Sequence, residues 1–71
     1  MPILLAPIGQ DLTVKHVSGS DKVVKHLQSL GIVKDRSIRI LEQTKGGIIV
    51  LVDQMRLAVD KDIAMGIQVV L

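Results

Sequence analysis

Between Ser20 and Gln43 the apolar residues of SDKVVKHLQSLGIVKDRSIRILEQ change their spacing once, and a glycine stands at the change. Before it, Val23, Val24, Leu27 and Leu30 fall at i, i+1, i+4 and i+7, one stripe of a 3.6-residue helix. After it the period is two, with Ile38 and Ile40 on one face and Arg36, Arg39 and Glu42 available to water. Ser20 can accept a hydrogen bond from the first free amides of the helix, and Asp21 suits the positive end of its dipole. Gly31 can take the left-handed conformation that ends a helix, which lets Ile32 fold back on Leu27 as in a Schellman cap. The spacing therefore predicts a helix over about 21–30, too short to persist alone and held by packing.

The rest of the chain reads as short strands. LTVKHV (12–17) alternates, placing Leu12, Val14 and His16 on one face and Thr13, Lys15 and Val17 on the other. TKGG (44–47) is turn material, and IIVLV (48–52) is apolar on both sides, as in a strand with neighbours on each side. Asp53-Gln54 makes a tight connection to MRLAV (55–59), where Met55, Leu57 and Val59 alternate with Arg56 and Ala58. DKDIA (60–64) predicts one helical turn capped by Asp60, and GIQVVL (66–71) a last strand with Ile67, Val69 and Leu71 to one side. Five such strands and one helix cannot bury themselves as a flat open sheet; partial closure into a small barrel resolves the edges.

Composition decides which functions such a barrel can carry. In 71 residues, expected to form one domain, 48% are hydrophobic and nearly all of these are aliphatic. The absence of cysteine removes disulfides, thiolate nucleophiles and cysteine-bound zinc. A net charge of +2 without a Lys/Arg run is a weak electrostatic footprint for nucleic acid. No Phe, Tyr or Trp is present to stack on bases. Nucleic acid is therefore not an expected partner. The opening MPILLAPIG lacks a positive n-region, and GIIVLV is far below the roughly 20 residues needed to span a bilayer. A soluble, cytoplasmic chain without membrane insertion is expected.

LAPIG near the start, HLQSLGI at the helix end, SIRIL in the next strand, and then GGIIVLV, RLAVDKDIA and IQVVL together resemble the FeoA-like family, over about residues 4–70. These are small cytoplasmic accessory proteins of bacterial and archaeal ferrous iron transport. The resemblance implies a mainly β fold, a small five-stranded SH3-like barrel with one inserted α-helix and a short helical turn. That domain is also similar to the C-terminal module of iron- or manganese-dependent repressors. Where the family often has a proline–glycine turn before the second strand, this chain has Lys34-Asp35, and Asp tolerates turn geometry too.

No catalytic constellation accompanies these elements. Asp60 and Asp62, two apart at a helical turn, are expected to cap amides and face water. Ser18, Ser20, Ser29 and Ser37 have no activating neighbours. Gly46-Gly47 lacks the lysine–serine of a phosphate loop. His16 and His26 are the candidate metal ligands, with Asp21 or Glu42 as helpers. They stand ten residues apart on a strand and a helix, so one packed and one exposed histidine is the expectation. No cofactor is expected beyond a weak contact with ferrous iron or another divalent metal.

The resemblance implies instead a non-enzymatic regulator that docks on a membrane ferrous iron transporter carrying a GTPase-like cytoplasmic domain. Lys22, Lys25, Arg36, Arg39 and Arg56 could gather into a basic face for an acidic partner. The expected contact residues are Lys25, His26, Leu30, Gly31, Ile32, Arg36 and Arg39. The alternative is a metal-responsive regulatory module working with a DNA-binding repressor.

Overall fold

The computed structural model describes residues 1–71. Its strands are β1 (Asp11–Val17), β2 (Ser37–Gln43), β3 (Gly47–Val52), β4 (Met55–Asp60) and β5 (Ile67–Val70). Helix α1 (Asp21–Ser29) lies between β1 and β2, and the short α2 (Lys61–Ala64) between β4 and β5. All strands pair antiparallel in one sheet of order β4-β3-β2-β1-β5. This is an SH3-like barrel whose edge strands β4 and β5 do not pair with each other, so closure is left to the α2 connection between them.

Alternation puts Leu12, Val14, Ile38, Ile40, Ile48, Val50, Val52, Val59, Ile67 and Val69 into one aliphatic cluster with Leu27 and Ile32. No polar or charged side chain is buried with them. β3 carries the most continuous apolar run and is paired on both sides, as its composition predicts. Gly47 belongs to this strand rather than to the preceding turn. A Cβ there would run into the carbonyl oxygen of Val59 across the ladder, so the side-chain-free residue permits the close approach of β4.

Two β-bulges bend the sheet. One interrupts the β1–β5 register between Val14 and His16, the other the β2–β3 register between Ile40 and Glu42. An extra residue in one strand increases twist and exchanges the faces beyond it. The first bulge corrects the simple alternation of β1: His16 is exposed instead of sharing the buried face of Leu12 and Val14, and Val17 packs against the core. Both histidines are therefore exposed, not one.

The N-terminal segment carries too few residues for a period to be read, yet it is part of the core. Ile3–Leu5 form a single 3₁₀ turn that buries Ile3 and, just after it, Ala6. Before it, Val69 N–H donates to Met1 O at 2.8 Å, and Pro2 bridges to Gln68. The outer side of β5 is thus occupied by the chain's own beginning. Nothing pairs with the outer side of β4.

Candidate functional site

Helix α1 is built as its residues dictate. The Ser20 side chain accepts from Val23 N–H at 3.2 Å, and Asp21 occupies the first turn. At the other end, Gly31 N–H donates to Gln28 O at 3.0 Å and Ile32 N–H to Leu27 O at 2.9 Å, with Gly31 at φ +92°. This is a Schellman cap, and its apolar clasp is the buried pair Leu27 and Ile32. Asp60 stands at the N-cap of α2, but its side chain makes no capping hydrogen bond.

The corner after α1 is fastened to the β3–β4 hairpin. A Cβ on Gly31 would lie 2.9 Å from Asp53 Oδ2 and 3.2 Å from Val52 Cγ1. Asp53 accepts from Arg36 Nη1 at 2.6 Å, an exposed ion pair of modest worth that orients both groups. Left-handed residues collect here: Asp53 and Gln54, φ 50° and 67°, form the two-residue hairpin turn, and Asp35, φ 73°, completes the turn closed by Arg36 N–H on Val33 O.

Asp35 takes the conformation a glycine would take in the proline–glycine turn it replaces. The substitution Asp35→Gly is expected to stabilise the protein by about 0.5 kcal/mol, relief of the left-handed strain outweighing the added chain entropy. A thermal melt should show Tm higher by roughly 3 °C; a lower Tm would contradict the strain.

The sequence-expected contact residues separate into groups. Lys25 and His26 are exposed on α1, and Leu30 and Gly31 are half-buried at its end. Ile32 is 1% exposed and holds the corner from within, so it is corrected from a contact to a support. Arg36 is tied to Asp53 beside Gly31. Arg39 belongs elsewhere, donating through Nε and Nη2 to Asp11 Oδ1 at 3.0 and 2.8 Å. In register, Asp11, Arg39, Leu51 and Arg56 form one row across β1 to β4. The five basic residues therefore do not form one free face, because two are engaged by aspartates and Arg39 and Arg56 sit in the sheet's own row.

Two grooves flank α1. One, about 190 Å³, runs between His26 and Leu27 on the helix, Leu30 at its C-cap, and Ala58, Asp60 and Ile63 on β4 and α2. The other, about 180 Å³, lies between Val24 and Gln28 on the helix, Lys15 and His16 on β1, and Val33 and Lys34 after the corner. His16 and His26 line different grooves, and nowhere do three His, Cys, Asp or Glu side chains come together. Nor is any helix long and apolar enough to cross a membrane. The corner and its grooves offer apolar patches rimmed by polar side chains, which suits recognition.

The family model of the FeoA domain matches residues 1–71. Among solved structures, the crystal structure of an iron uptake regulatory protein, FeoA, is similar at 27% identity and TM-score 0.87, over 99% of this chain and 95% of that one. The solution structure of the FeoA protein from Chlorobium tepidum is similar at 25% identity and TM-score 0.89, over 99% and 69%. A manganese-dependent transcriptional repressor shares 25% identity and TM-score 0.88 over 99% of this chain but only 40% of its own. No curated protein matches the sequence significantly.

Proposed function

Since the chain belongs to the FeoA family, we propose that it is a non-enzymatic, cytoplasmic accessory protein of a ferrous iron transport system, docking on the cytoplasmic GTPase-like part of the membrane transporter. The observation that carries this is the whole-chain family match, with a fold shared at 27% identity with an iron uptake regulatory protein. The docking surface on this proposal is the helix–glycine corner. Leu30 and Ile63 supply its apolar centre, and Lys25, His26 and Arg36 its polar rim. A central apolar side chain within a polar rim is how small interfaces concentrate their binding energy. The protein acts without a resident cofactor, ferrous iron being the transporter's cargo. Docking would alter the nucleotide cycle or the assembly of the transporter.

The test is an amide NMR titration of the labelled protein with the transporter's cytoplasmic domain, with and without guanine nucleotide. Shifts are expected around residues 24–36 and at Ile63, and Leu30→Ala should weaken binding about tenfold. No shifts up to near-millimolar partner would overturn direct docking. A second function, regulation within a metal-responsive repressor, is favoured by the likeness to the manganese-dependent repressor. It would then be tested by adding a DNA-binding repressor module in place of the transporter domain.

A further inference from the structure

The groove between α1 and β1 differs from the corner in its charge. Lys15, His16 and Lys34 stand on its rim with the Gln28 amide, and no acidic residue lines it. The two ion pairs of the protein, Arg36–Asp53 and Arg39–Asp11, leave Lys15 and Lys34 unpaired. Asp35, next to Lys34 in sequence, is not among the lining residues. The floor is aliphatic, with half-buried Val24 and Val33 at its surface and buried Ile32 beneath.

The bulge in β1 makes this grouping possible. In an unbroken strand, His16 would follow Val14 towards the core and Lys15 alone would face the helix side. The extra residue at Lys15 sets both exposed side chains on the groove. The re-aimed His16, two unpaired lysines and an apolar floor thus meet in one concavity.

We propose that this groove captures an acidic, aliphatic peptide segment, whose Asp or Glu carboxylates meet Lys15, Lys34 and the His16 N–H while a neighbouring aliphatic side chain rests on Val24 and Val33. The chemistry favours a peptide over a nucleic acid. A phosphate chain would leave the aliphatic floor unused, and the protein has no Phe, Tyr or Trp ring to stack on a base. Two of its three arginines, the better phosphate forks, are engaged elsewhere by aspartates, and the third, Arg56, does not line this groove. The groove borders the corner at Ile32–Lys34 but shares no lining residue with the groove of Leu30 and Ile63, and it does not require the transporter to be the partner.

The experiment titrates the labelled full chain with a short synthetic peptide in which glutamate alternates with leucine. A second peptide carries lysine for glutamate, and inorganic phosphate and oligouridylate are added in parallel. Saturable amide shifts at residues 15–17, 28 and 32–34 are expected with the glutamate peptide alone. The double variant Lys15→Glu/Lys34→Glu should keep its melting temperature, both side chains being exposed, and weaken binding about tenfold. It should also gain affinity for the lysine peptide. Equal shifts with the lysine peptide, undiminished binding by the double variant, shifts confined to other residues or no shifts at all would each overturn the proposal. Matching shifts with phosphate or oligouridylate would overturn the peptide occupant in favour of a phosphate-bearing one.

Discussion

Truncating Ile40 to alanine is expected to destabilise the protein by about 2–5 kcal/mol, the range for emptying a fully packed aliphatic site. Ile40 is 0% exposed and lies on the middle strand of the five, opposite Val50 and one residue before the second bulge. Its environment cannot collapse easily, because β1 and β3 hold β2 from both sides by hydrogen bonds. A chain of this size has a total stability on the order of 4–10 kcal/mol, so the loss is a large share of it. In urea denaturation the midpoint should fall steeply while the slope stays that of the parent. A loss below about 1 kcal/mol would mean that the cluster is not packed around this side chain as described.

The second large effect is expected at the end of α1. Gly31→Val places a β-branched residue at φ +92°, a conformation that costs about 1–3 kcal/mol by itself. The added Cβ would also press on the Asp53 carboxylate and on Val52, disturbing the hairpin and its ion pair with Arg36. The two contributions act at one point, so the loss should approach 3 kcal/mol or exceed it, roughly 10 °C or more in Tm. Gly31→Asn separates them, since asparagine tolerates the left-handed region and should fall between glycine and valine. Equal melting temperatures for the parent and the G31V protein would refute the cap. Amide exchange adds a second check. In G31V, protection should drop at position 31 and at Ile32, whose N–H groups close the cap, before it drops in β2.

Why these two sites were readable in advance, and others were not, follows from the reach of the interactions involved. The cap spans only residues 20–32, and each partner lies within five positions of the other, so the order Ser-Asp, apolar stripe, glycine, isoleucine specifies it locally. The core faces of β2 and β3 were equally plain, since alternation is also local. His16 was not. Its orientation depends on a bulge in the pairing with β5, some fifty positions downstream, and nothing within LTVKHV marks the extra residue. Arg36 and Arg39 looked free for the same reason: the aspartates that engage them lie 17 and 28 positions away. The basic groove beside α1 therefore appears only when the strands are paired. It is made of residues that the linear chain assigns to opposite faces.

The unequal treatment of the two sheet edges has a consequence for how copies of this molecule can associate. Growth of a β-stacked polymer requires two adhesive ends, so that each added unit offers a fresh one. Here the beginning of the chain lies along β5 and blocks that end, while β4 keeps its outward N–H and C=O groups unpaired. The molecule is monovalent in this respect. Two copies joined β4 to β4 would satisfy each other across a twofold axis and leave nothing to extend. While the first two residues stay on β5, the edge of β4 is thus the one place where a further strand could add to this sheet.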